Sequence, residues 1–177
     1  MKVIFLDIDG VLNCRTTQEV IWRDNGKEGF HGVEDGKIKL LKKIVRKTGA
    51  VIVLHSSWRL NKDESVFHHY SFFDDLDDEE FDLSPKKSIY KYLRKHLSAN
   101  RLKIYDSTPF IGHWSRPKEI HVWLKAHSEV TNYVILDDEK FSAFKDYGLI
   151  DHVVFTSYDE GLTEAKANEA IDILIKE

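Results

Sequence analysis

The chain has 177 residues, 42% of them apolar and 32% charged, with nine Gly and three Pro, which suits one domain with a sizeable core and excludes a low-complexity segment. Its formal net charge of −4 excludes a general field for nucleic acid, and the lone Cys14 excludes an internal disulfide and fits a reducing, cytoplasmic setting. No basic region precedes a long apolar run and acids arrive by Asp7, so neither a signal peptide nor a membrane span is expected.

Val3-Ile4-Phe5-Leu6 reads as a short strand buried on both faces, as in a parallel sheet. It ends in Asp7 and Asp9, followed by Gly10, which can take a positive φ or approach a ligand closely. In an open α/β sheet the carboxyl ends of the strands face the ligand crevice, which puts both acids at the site. Two carboxylates so close repel unless a cation lies between them, and magnesium suits a site with few carboxylate ligands. The plain alternative is that Asp and Gly simply turn the chain after a strand.

Asp7-Ile8-Asp9-Gly10-Val11-Leu12-Asn13, directly after an apolar N-terminal strand, resembles the first motif of the haloacid dehalogenase (HAD) superfamily, mostly magnesium-dependent phosphatases. The resemblance implies that Asp7 is a nucleophile and Asp9 a general acid/base. It also implies, in chain order, a phosphate-binding Ser or Thr after the second strand, a phosphate-binding Lys or Arg, and a later acidic pair that helps hold the metal.

Residues 14 to 34 show no clean period and carry Gly26, Gly29 and Gly32. At this place the superfamily has a hairpin-like flap, here too short for a large cap, in which Trp22 and Phe30 either pack or exclude water. From Glu34 to Thr48, Ile38, Leu41, Ile44 and Val45 fall at helical spacing and Gly49 supplies the stop. Ala50 to Leu54 is a second buried strand, parallel to the first through a right-handed crossover. Its exit, His55-Ser56-Ser57-Trp58-Arg59, falls where the second motif belongs. A hydroxyl there can donate to a phosphate oxygen without adding charge: Ser56 is the first choice and Ser57 the second, against an ordinary N-cap. Ser-Ser-Trp-Arg also resembles HAD phosphatase-like domains associated with nucleic acid repair proteins, in which case Arg59 would grip a second phosphate.

Residues 60 to 101 read as a small cap-like insertion. It contains His68 and His69, whose spacing matches no familiar zinc module, and seven acids between Asp74 and Asp82. A helix starting at Ser84-Pro85 follows, with Ile89, Tyr92, Leu93 and Leu97 as its apolar stripe. A third strand is expected at Leu102 to Tyr105, then a helix from Arg116-Pro117. Lys118 opposes that helix's dipole unless an anion binds there, so it is the choice for the phosphate-binding cation and Arg116 the rival. Tyr133 to Leu136 is a strand ending in Asp137-Asp138, a second acidic pair at a second strand end that would converge with the first on one metal. Asp137 is the better direct ligand. His152 to Thr156 is a fifth strand, and Thr163 opens a last helix packing Ala170, Ile171, Leu174 and Ile175.

The expected fold is therefore a doubly wound, HAD-like (Rossmann-type) α/β domain spanning 1–177, with about five mostly parallel strands and helices on both faces. The expected activity is Mg2+-dependent hydrolysis of a phosphate monoester through an aspartyl phosphate. Asp7, Asp9, Ser56 and Lys118 would be catalytic, Ser57, Arg59 and Arg116 would bind substrate, and Asp7, Asp9, Asp137 and Asp138 would hold the metal. The substrate is a phosphorylated small molecule or a nucleic acid end, for which Lys86 to Lys103 offer a basic track and Trp58 or Trp114 a stacking surface. The alternative is a non-catalytic HAD-like module that binds phosphate or nucleic acid. A receiver-type signalling domain fits poorly, since its phosphoaccepting Asp would follow the third strand. Oligomeric state is not encoded in any of these features.

Overall fold

The computed structural model describes residues 1–22, 29–62, 89–112 and 115–176. Of the expected insertion, residues 63–88 lie outside the described residues, and with them His68, His69, the acidic run, the Ser84-Pro85 helix start, Lys86 and Lys87. Trp114 also lies outside.

The main sheet is built from β1 (Lys2–Leu6), β4 (Val51–Leu54), β5 (Ile104–Ser107), β6 (Asn132–Asp137) and β7 (Val153–Phe155), in the order β5-β4-β1-β6-β7. Every pairing is parallel. The first strand in sequence is thus central, with its sequence successors on one side and β6 and β7 on the other. The strand order reverses between β1 and β6, and in open α/β sheets the carboxyl ends of the strands at such a reversal are where ligands bind.

Strand alternation explains how one short apolar run builds two cores. Ile4 and Leu6 of β1 face one cluster, which also takes in Ile38 and Leu41 of α1 (Asp35–Thr48), Leu93 of α2 (Ile89–Ala99) and Leu174 of α5 (Glu164–Ile175). Val3 and Phe5 face a second cluster with Ile120 and Trp123 of α3 (Arg116–Ala126) and Phe144 of α4 (Ala143–Asp146). Val3, Ile4, Phe5 and Leu6 are all fully buried, each contributing about 1.5–3 kcal/mol of burial free energy. Helices cover both faces, as an all-parallel sheet requires.

Local signals set most boundaries. Gly49 ends α1 in the left-handed region at φ 70° and donates to Val45 O, and the Thr163 side chain caps α5 by accepting from Lys166 N. The third strand begins two residues later than expected. Arg101 takes φ 61° and Leu102 N returns to Leu97 O, so Leu102 completes the stop of α2 and packs beside it. His152 belongs to a 3-10 turn, Ile150–His152, with its ring stacked on Tyr133. Ile175 is half exposed at the fraying end of α5 and does not pack on the sheet as expected.

Beyond β1 the chain forms a short antiparallel hairpin, β2 (Val20–Trp22) and β3 (Gly29–His31), at the place of the expected flap. It is pinned to α2, because Tyr92 Oη donates to Glu19 and accepts from Val33 N. No helix among the described residues is long and apolar enough to cross a membrane.

Candidate active site

Strand register alone brings the acids together. Leu6 pairs with Leu136, and Asp7 N donates to Leu136 O at 3.0 Å, so Asp7 and Asp137 leave neighbouring strands at the same level. On the other side, Leu6 pairs with Leu54 and His55 N donates to Leu6 O, so His55 flanks Asp7 and Ser56 lies one residue farther out. One oxygen each from Asp7, Asp137 and Asp138 lie within 4.8 Å of one another. Asp7 and Asp137 are buried, and Asp7 Oδ1 and Asp137 Oδ2 have no hydrogen-bond partner among the described residues. Buried carboxylate oxygens left unpaired are costly. Converging unpaired oxygens of this kind are the donor set a hard divalent cation takes, so the residues fit magnesium.

The electrostatics follow from that crowding. Burial and the Asp7 charge push Asp137 well above its ordinary range, against the lowering effect of Arg116. The same two causes raise Asp138 to about 6. The cation that reaches the cluster is Arg116, whose Nη1 donates to Asp7 Oδ2 at 2.6 Å and lies 3.6 Å from Asp137 Oδ1. Burial disfavours its charge, but Asp7, Asp137 and Glu139 outweigh that and hold it protonated. His55 is fully buried and neutral. Burial, opposed by Asp7 and aided by Arg116 and Arg59, takes its pKa down to about 3. At 3.8 Å its Nδ1 makes neither an ion pair nor a hydrogen bond with Asp137.

Asp9 is handled differently. Its Oδ1 accepts from Asn13 Nδ2 at 2.8 Å and its Oδ2 from Trp58 Nε1 at 2.9 Å, so the carboxyl is held away from the cluster in one orientation. Burial raises its pKa, the Asp7 charge adds to this, and the two hydrogen bonds oppose it. Asn13 Oδ1 also accepts from Gly10 N, and Thr156 Oγ1 donates to Gly10 O, fixing the turn at both faces. Gly10 is at φ 68°, and a Cβ there would lie 2.3 Å from Asp138 Cγ. The position therefore demands glycine twice, for its backbone and for the approach of Asp138.

Of the expected substrate ligands, Ser56 is buried at the strand end, with its Oγ accepting from Trp58 N at 3.4 Å, and Ser57 is exposed at the start of a 3-10 turn, Ser57–Lys62. Lys118 is exposed. It lies two residues from Arg116, a separation that puts the two on different sides of a helix. Arg116 and not Lys118 meets the carboxylates. Arg59 is buried and spent on protein groups: its Nε donates to Thr108 O, its Nη1 to His55 O and Ser56 O, and its Nη2 to Glu119. Trp58 is likewise buried and bonded to Asp9, so it offers no stacking surface. Asn13 and Trp58 as the residues that orient Asp9 escape the sequence reading. The sequence signal for Asn13 is its place in an Asp-Gly turn, where Asn commonly bonds the local backbone; for Trp58 there is none.

A central β1 ending in one acid pair, met by a second acid pair from β6 under a short flap, defines a HAD-type α/β domain, a class whose general chemistry is hydrolytic and phosphatase-like. The chain belongs to the family described as the HAD domain in Swiss Army Knife RNA repair proteins, whose sequence model matches residues 3–167. No curated protein and no solved structure matches it.

Two outcomes follow from this geometry. Gly10→Ala should cost about 1–2 kcal/mol for the left-handed backbone and displace Asp138, so chemical denaturation should show lower stability and the thermal shift on adding Mg2+ should shrink. Asp138, whose folded pKa of about 6 exceeds the ordinary 3.8, favours the folded state when protonated. Its contribution is full below 3.8 and is lost as the pH rises through about 6. The Tm of metal-free protein should fall over that window, and Asp138→Asn should flatten the fall.

Proposed function

We propose that this protein is a magnesium-dependent phosphate monoester hydrolase, acting through an aspartyl phosphate on Asp7 and taking a nucleotide or a polynucleotide end as substrate. The observation that carries this reading is the division of labour among the acids. Asp7, Asp137 and Asp138 converge, with a buried oxygen unpaired on each of Asp7 and Asp137, whereas Asp9 is held apart by Asn13 and Trp58 with a raised pKa.

Asp7 attacks phosphorus in line with the leaving oxygen. The new bond is from Asp7 to phosphorus, and the bond that breaks is from phosphorus to the ester oxygen. Asp9 gives its proton to that oxygen, a role favoured by the burial that raises its pKa. In the second half, Asp9 as carboxylate takes a proton from a water that attacks phosphorus and releases phosphate from Asp7. Asp7, Asp137 and Asp138, with the backbone carbonyl of Asp9, would hold Mg2+, which supplies charge neutralisation between nucleophile and phosphate. Arg116 takes the part expected of Lys118: its guanidinium, bonded to Asp7 Oδ2, turns to the incoming phosphoryl oxygens and stabilises their charge. Ser56, one residue beyond the level of Asp7, supplies a neutral donor.

The substrate class is supported by the short hairpin flap and by α2, which presents Lys91, Arg94 and Lys95 outward and is bonded to the flap through Tyr92 and Glu19. A polymer end can enter such a crevice, and a basic helix face beside it can follow a phosphate backbone.

Asp7→Asn should abolish Mg2+-dependent release of phosphate from p-nitrophenyl phosphate while leaving the fold intact by circular dichroism. Arg116→Ala should lower kcat/KM by on the order of 10²-fold or more, and Lys118→Ala should leave it near wild type. Turnover by the Asn variant would remove Asp7 as nucleophile. For the substrate, the KM for a phosphorylated oligonucleotide should rise steeply with salt, and neutralising Lys91, Arg94 and Lys95 should flatten the slope. Salt-independent hydrolysis no better than that of p-nitrophenyl phosphate would exclude the polymer end.

A further inference from the structure

Arg59 and Glu119 form a buried ion pair whose contacts reach well beyond each other. Both are almost wholly inaccessible. Arg59 Nε donates to Thr108 O at 3.2 Å, and its Nη1 donates to His55 O at 2.6 Å and Ser56 O at 2.7 Å. Its Nη2 donates to Glu119 Oε2, and Glu119 Oε1 accepts from Ile111 N at 2.9 Å. One guanidinium thus gathers the exit of β4, the exit of β5 and the first turns of α3. Those are the segments that carry Ser56 and Arg116.

The geometry at α3 gives the pair its reach. Glu119 follows Arg116 by three residues, so the two share a helix face. Arg116 points to Asp7 and Glu119 to Arg59. A displacement of Glu119 carries Arg116 with it, and the same guanidinium holds the carbonyls on either side of the Ser56 peptide. We infer that the Arg59–Glu119 pair is a positioning clamp that fixes the distance between the two phosphate-contacting groups, Ser56 and Arg116, which no strand pairing connects directly. Arg59 is then a positioning residue and does not touch substrate. The inference rests on the roles proposed above for Ser56 and Arg116.

A planar fork with five fixed donors suits this task, because it can hold carbonyls on one side and a carboxylate on the other. Lysine can reach one set at a time. Stability alone does not call for the two opposite charges, since matched apolar pairs often replace buried ion pairs without loss; the backbone groups that the pair also bonds do need partners. Leaving one partner alone strands a buried charge, so single truncations confound folding with function.

The test uses the paired replacement Arg59→Met with Glu119→Leu, beside Arg59→Lys and Arg116→Ala. Tm, kcat and KM for p-nitrophenyl phosphate, and Kd for inorganic phosphate by titration calorimetry are measured on each. The paired variant should fold with a lowered Tm, since three backbone carbonyls and Ile111 N lose their partners, and should lose about 10²-fold in kcat, the scale of a small misplacement of catalytic groups, with KM changed less. Its phosphate affinity should also fall. Adding Arg116→Ala should then cost far less than it does in the wild type, because the clamp and Arg116 act as one unit. Wild-type kcat in the paired variant, or losses that simply add to that of Arg116→Ala, would overturn the clamp. If the paired variant does not fold, Arg59→Lys decides: reduced kcat with a nearly unchanged Tm supports the clamp, and wild-type kcat overturns it. If the wild type hydrolyses no phosphate monoester, the proposed function fails by itself. The clamp is then judged on phosphate binding: equal affinity in the wild type and the paired variant overturns it, and weakened affinity supports it.

Discussion

Three carboxylates crowded at the ends of β1 and β6 set the terms for everything around them. Asp7 and Asp137 are buried level with each other, and Asp138 closes on Gly10. Crowding and burial raise the pKa values of Asp137 and Asp138 and leave oxygens of Asp7 and Asp137 unpaired. It persists because the sheet beneath it is strong. Four fully buried β1 side chains and ladders on both sides hold the strand ends in a position that the acids alone would not choose. The electrostatic cost of the cluster is thus held in place by an over-determined scaffold.

The cations are sorted by what surrounds them. Arg116, on the first turn of α3, answers the carboxylates directly and remains partly open to solvent. Arg59 is closed in, with its donors turned to carbonyls and Glu119. Both are arginines at the ends of the same strands, yet only Arg116 meets the acid cluster. Asp9 is set apart from the metal-type cluster by two neutral donors, Asn13 and Trp58. Two acids two residues apart thereby acquire different environments, and the roles proposed for them, nucleophile and acid, rest on that difference.

The hairpin and α2 are bonded to each other. Tyr92 joins them, and Gly32 fits beneath its hydroxyl, where a Cβ would come within 2.7 Å. The basic face of α2 therefore stands at a fixed place relative to the hairpin.

Much of the fold was legible in the chain because its signals are local. A four-residue apolar run, helical spacing over Ile38, Leu41 and Ile44, the Gly49 stop and the Thr163 cap each act within a few residues, and the structure uses them as read. The acids at the ends of β1 and β6 were legible for the same reason, since a strand end followed by Asp can be seen without knowing its neighbour. The pairing that brings them level was decided by tertiary structure, as were the residues that face them. Lys118 and Arg116 differ by two positions in sequence, and only the rotation of α3 decides which one meets Asp7. Arg59 and Trp58 read as surface groups for a substrate and are instead buried, because the 3-10 turn after β4 folds them inward against Thr108, Glu119 and Asp9. Sequence pattern determined which residues end strands and cap helices. Side-chain direction, which depends on contacts between segments far apart in the chain, was settled only by the packed structure.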